Sequence, residues 1–130
     1  METNNTRARY ERAASLLGVT DERYRPVAAA LWGCTLLFYA VGDTGLTVVV
    51  LELGGVEANS VAQAFYAAGG YMGLVVQKLL ALAVLWVIWR YYPAVGSASP
   101  DPWRLIVPAI PFLRGIQLVT LHTSNISALL

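Results

Sequence analysis

Four ionisable side chains stand in stretches of the sequence that are otherwise apolar: Asp43, Lys78, Arg114 and His122. An acid in such surroundings must be solvated, neutral or paired, because an isolated buried charge is costly. Asp43 with Lys78 is the leading pair, and Arg114 is the alternative partner. Thr47 follows Asp43 by one helical turn and shares its face, so its hydroxyl can donate to the carboxylate or back-bond to its own helix. Glu57 and Asn59 come next on the same segment. With Asp43 and His122 they could line a small cavity and handle a proton, a cation or a polar headgroup. The same set could instead be an inert clamp, since buried ion pairs can serve to select one packing arrangement.

Other chemistries find less support. Oxygen and imidazole ligands can hold a divalent ion, yet no H-E-x-x-H or comparable spacing is present, so no metal and no cofactor is expected. There is no G-x-S-x-G elbow, P-loop or Gly-rich dinucleotide turn. An enzyme would have to rely on Asp43 and His122 as an intramembrane acid–base pair, with a lipid as the natural substrate class.

The elements that position these residues are set by composition. Of the 130 residues, 57% are hydrophobic and 13% charged, against about 25% charged in soluble domains. Nine of the seventeen Asp, Glu, Lys and Arg residues lie within the first 25 positions, which makes a polar tail on an apolar body. The net charge of +1, with no basic stripe, argues against a nucleic-acid partner.

The chain divides into a tail (1–26) and a three-helix transmembrane domain (27–130). From Pro26, a residue suited to a helix start, an apolar run extends over 27–53 and is stopped by Gly54-Gly55. The polar link Glu57-Ala58-Asn59-Ser60 offers Asn59 or Ser60 as a cap for the next helix. Residues 61–92 are too many for one straight crossing, and Gly69-Gly70 is the natural break. A short interfacial or re-entrant helix is expected at about 60–68 and a second span at about 71–91. Gly69 and Gly73 form a G-x-x-x-G pair that allows close helix approach, within or between chains. Trp86, Trp89, Tyr91 and Tyr92 make an aromatic belt at the end of that span. After a Pro/Ser/Gly loop at 93–102, the third span covers about 103–123, with Pro108 and Pro111 loosening its first turns.

The tail offers a surface helix from Asn5 or Thr6 to Gly18, or a solvated segment. Lone Cys34 reads as a buried thiol; the Leu31-Trp32-Gly33-Cys34 echo of a lipoprotein box sits too early and carries a bulky Trp. Five arginines in the tail, Arg90 and Arg104 beside the second loop, and no cation in the 54–60 link place the N-terminus in the cytoplasm and the C-terminus outside the cell membrane.

The order of these features resembles a family of small bacterial and archaeal membrane proteins, domain of unknown function 5658. That family carries an aspartate and a threonine in the first span, a Glu-x-Asn-Pro link, a lysine in the next span and a histidine near the end of the last. Asp43 and Thr47, Glu57-Ala58-Asn59-Ser60, Lys78 and His122 stand at those places, with Ser60 where the family has proline. The resemblance covers about residues 30–123. It implies topology and residues of interest, and no reaction.

The reading is therefore an all-α, three-span integral membrane protein with a polar cluster at Asp43, Thr47, Glu57, Asn59, Lys78, Arg114 and His122. The leading function is a non-enzymatic subunit that assembles with itself or with a larger membrane partner, using Gly69, Gly73 and the polar stripe. The alternatives are an oligomeric proton or cation transport subunit and a lipid-modifying enzyme.

Overall fold

The computed structural model describes Thr6, Arg9, Gly18 and residues 22–95 and 102–130. The expected tail helix and most of the 93–102 loop lie outside the described residues. The described chain is helical, with no strand, and contains three helices long and apolar enough to cross a membrane: Arg25–Glu52, Ser60–Tyr92 and Trp103–Leu129.

The first of these is built in three parts. Helix α1 (Arg25–Cys34) begins with Pro26 in its first turn and passes into a π-helical segment, Thr35–Gly42, which leads into α2 (Asp43–Glu52). In an unbroken α-helix the step from Thr35 to Asp43 would turn the two side chains about 80° apart. The wider π turns reduce the rotation per residue, and Thr35, Asp43 and Thr47 all end up buried. Helix α2 stops as the glycine pair requires. Gly54 takes a φ of 82°; its N–H donates to the Leu51 carbonyl and that of Gly55 to the Val50 carbonyl, the two bonds of a Schellman cap.

Helix α3 (Ser60–Val95) opens on Asn59, whose side-chain oxygen accepts from the Val61 N–H at 3.0 Å. Gly70, with φ 57° and ψ −142°, interrupts it and separates a short arm from the long one. The short arm folds back so that the Phe65 carbonyl lies on Gly73, where an added Cβ would sit 1.9 Å from that oxygen. Gly73 is therefore the glycine of an intrachain contact. Gly69 has no atom within 4 Å of the position its Cβ would take, so the two glycines do not act as a pair within this chain. Tyr71, just past the break, donates to the Glu52 carboxylate and ties the top of α3 to the end of α2.

A 3-10 turn, Pro102–Leu105, leads into α4 (Ile106–Leu129). Its inward stripe is Val107, Pro108, Pro111, Gly115 and His122, close to a three-and-four spacing. At Gly115 the backbones of α4 and the π segment nearly touch: a Cβ there would lie 2.6 Å from the Tyr39 nitrogen and 2.9 Å from the Phe38 carbonyl carbon. Gly42 faces Val119 in the same seam. Thr35 donates to the Pro108 carbonyl at 2.8 Å, a buried tie across the part of α4 that carries two prolines.

The apolar core sits toward the N-terminal end of the first helix and consists of Ala28, Trp32, Trp89 and Val107. Trp32 meets Trp86 and Trp89 edge to face, with ring centroids 5.5 and 5.8 Å away.

The two glycines of α3 give a built-in control. Gly73→Ala is expected to destabilise the fold by about 1–3 kcal/mol or more, since backbone atoms must move. Gly69→Ala is expected to be neutral or to stabilise by up to about 1 kcal/mol. Detergent-titrated unfolding of the two variants checks the difference.

Candidate functional site

Three helices deliver one polar side chain each to a single point. Asp43 opens α2, nine residues before Glu52, or about 13 Å below that end. Lys78 lies seven residues after Tyr71, and His122 seven before Leu129, each about 10 Å from the same end of the bundle. The matching depths allow the side chains to meet. Lys78 Nζ is 2.5 Å from Oδ2 of Asp43, and His122 Nε2 is 3.0 Å from Oδ1. The carboxylate thus bridges the two other helices through its two oxygens.

Both Asp43 and His122 are 7% exposed. Nε2 of His122 also lies 3.2 Å from the Thr47 hydroxyl oxygen. A proton on Nε2 suits both contacts, because a bare nitrogen would set its lone pair against the carboxylate. Nδ1 is buried without a hydrogen-bond partner among the described residues. The Lys78 ammonium also stands over the Tyr39 ring, 4.0 Å from its centroid, so the π segment supplies a second contact to the cation.

Beside the cluster is a cavity of about 30 Å³, lined by Asp43, Thr47, Glu57, Asn59, Gln77 and Lys78 among others. That is room for one or two water molecules. Glu57 is half-buried, and its carboxylate accepts from the Asn59 N–H at 2.8 Å, so both residues stand where the cavity meets the α2–α3 link. Among the described residues, no three His, Cys, Asp or Glu side chains gather as a metal site would need.

Two expectations need correction. Arg114 does not belong to the cluster: it is exposed and donates to Gln117 Oε1 at 2.6 Å. Gly115 must face the π segment, and the residue before it is turned about 100° from that seam. Thr47 meets His122 and not the carboxylate, and it does not back-bond to its helix.

His122 is deeper than its place near the end of a 103–123 span implied. Helix α4 continues through Thr120, Thr123, Ser124 and Ser127, whose hydroxyls each donate to the carbonyl four residues earlier. That back-bonding keeps a polar-looking segment helical.

Arg104, which sequence reasoning counts only as an orientation charge, proves structural. It is 2% exposed, its Nε and Nη2 donate to the Trp89 carbonyl at 3.0 and 2.8 Å, its Nη1 donates to the Gly18 carbonyl at 2.6 Å, and its guanidinium lies 4.2 Å from the Trp89 ring centroid. The neighbouring Trp103-Arg104 pair after a proline is the signal available in the sequence. Gly42 and Gly115 carry no such signal, since no small-xxx-small spacing marks them.

These features define a class: an all-helical protein with three helices of membrane-spanning length that converge on a buried Asp–Lys–His cluster. Residues 34–128 match the family described as Domain of unknown function (DUF5658), and the chain belongs to that family. Neither a curated protein nor a solved structure matches the chain.

Breaking the cluster at one point should cost more than removing it. Asp43→Ala strands the Lys78 ammonium and is expected to destabilise by about 3–5 kcal/mol, whereas Asp43→Leu with Lys78→Met should recover most of the loss. Unfolding midpoints of the single and double variants test this, and a double variant no better folded than the single would show that the pair does not fasten the helices.

Proposed function

We propose that the protein is a multi-pass membrane protein, non-enzymatic, that serves as an assembly or partner-binding subunit. Its three helices cross the cell membrane with the N-terminus in the cytoplasm and the C-terminus outside. The distribution of Lys and Arg supports that orientation, as five arginines precede Pro26 and none follows Arg114.

One observation carries the reading: the ionisable groups that three helices place at the same depth satisfy one another inside a single chain. Their role is then to hold the bundle. The outer surface is left apolar, with Leu37, Val41, Leu79, Leu80, Val84, Ile110 and Leu113 all more than half exposed. A bundle this thin buries few of its own side chains, and its exposed faces suit lipid or another helix. The cavity at the cluster has room for a water molecule or two but not for a substrate of lipid or metabolite size.

A second reading, a proton or cation transport subunit acting as an oligomer, is favoured by that same cavity. It joins Asp43 and Lys78 to Glu57 and Asn59 near the outer ends of the helices through a lining that also includes Thr44, Thr47 and Gln77.

Reconstitution separates the two. Liposomes containing the purified protein are expected to show no proton, sodium or potassium flux above empty liposomes, while a photo-cross-linker at Leu37 is expected to give a discrete adduct in native membrane. A flux that disappears in Asp43→Asn would overturn the assembly reading in favour of transport.

A further inference from the structure

Among the described residues, Arg114 is the charged side chain near the middle of a span that the fold leaves facing outward. Its guanidinium is exposed, and among the described residues its partner is the neutral Gln117. Eleven residues separate it from Trp103 and fifteen from Leu129, about 16 and 22 Å along the helix, so it lies near the middle of the third helix. In a membrane that position is surrounded by hydrocarbon, where an unneutralised cation is costly and marks a functional contact.

It also lines a broad concavity of the described chain. A groove of about 510 Å³ runs between α3 and α4, lined by Tyr39, Phe65, Leu80, Val84, Ile110 and Arg114. Its lining is almost wholly apolar, and Arg114 provides its one charge.

We infer that this groove receives a transmembrane helix of another protein, one that carries a carboxylate near the middle of its span. The inference rests on the assembly reading and supplies the chemistry of the partner. Charge complementarity selects the occupant. A second copy of this chain has no suitable acid: of the two span carboxylates, Asp43 is held by Lys78 and His122 and Glu52 is the last residue of its span, where it accepts from Tyr71, while Glu57 lies in the link beyond. An anionic lipid carries its phosphate at the interface, well beyond the reach of an arginine from mid-span. A partner helix brings its carboxylate to the depth of Arg114 and its apolar side chains to the groove. A fork-shaped guanidinium can then bind both oxygens.

The test uses full-length protein labelled at Cys34, a free thiol that the fold leaves partly exposed, in phosphatidylcholine vesicles, and synthetic Leu/Ala transmembrane peptides of about 23 residues with a central Glu, Gln or Leu. Association is read by energy transfer. The Glu peptide is expected to bind at least about tenfold more tightly than the Leu peptide, an advantage lost in Arg114→Leu and partly kept in Arg114→Lys. Both variants should elute as the wild type does and keep its helical circular dichroism, because Arg114 contributes nothing to the core.

Equal binding of the three peptides, or a Glu advantage that survives Arg114→Leu, overturns the inference. Loss of the Glu advantage when phosphatidylglycerol is added would assign the groove to a lipid and overturn it equally. Either result would leave the assembly reading standing if the Leu37 adduct persists; ion flux lost in Asp43→Asn would remove that reading instead.

Discussion

A single carboxylate inside an apolar bundle organises this protein. Asp43 cannot remain alone at that depth, and each of its oxygens meets a side chain from a different helix: Lys78 at 2.5 Å and His122 at 3.0 Å. In a bilayer, where apolar surface gives no net drive for helices to associate, a directional contact of this kind would do what a large hydrophobic core does in water. The hydroxyl of Thr47, against His122, and the face of the Tyr39 ring, under Lys78, complete the shell.

The contact depends on how closely the backbones approach. Gly115 brings α4 against Tyr39 with no room for a side chain, and Gly42 leaves space for the Val119 side chain in the same seam. The π segment between Thr35 and Gly42 sets the angular position at which Asp43 leaves its helix. At the other end of the bundle, Arg104 and the tryptophan cluster hold the helices by cation–π and edge-to-face contacts. The bundle is thus fastened by polar contacts near one end, by backbone packing in the middle and by aromatic packing near the other. Only the first of these involves groups that can exchange protons.

The three long helices were legible because hydropathy, glycine breaks and caps agree: Gly54-Gly55 forms the stop it promises, Asn59 caps the next helix, and Gly70 breaks it. Depth made Lys78 the leading partner of Asp43 but left Arg114 as an alternative, since residues at matched distances from the same bundle end touch only if they also face each other. The place of His122 was not legible, because the hydroxyls that make residues 120–127 look like a helix end are absorbed by back-bonding. The outward turn of Arg114 was hidden for a different reason. Which face of α4 turns inward is decided by Gly115 against Tyr39, a contact between segments 76 residues apart whose need for a missing Cβ leaves no local pattern. The π segment is equally silent: its mixture of apolar, aromatic and β-branched residues resembles the rest of the spans and contains no proline.

Lys78 and His122 are the only lysine and the only histidine in the chain, so isotopes can be placed on each without ambiguity. Solid-state NMR of protein in lipid bilayers, with 15N on the lysine and histidine side chains and 13C on the aspartate carboxyls, measures the central contact directly. A carboxylate shared by three helices predicts strong dipolar dephasing of both the Lys78 Nζ and His122 Nε2 signals. The corresponding nitrogen–carboxyl separations are about 4 Å or less, and the dephasing is lost in Asp43→Asn prepared with unlabelled asparagine. If either nitrogen shows no dephasing, or dephasing that persists in Asp43→Asn, then Asp43 does not join the three helices and cannot be what organises the bundle.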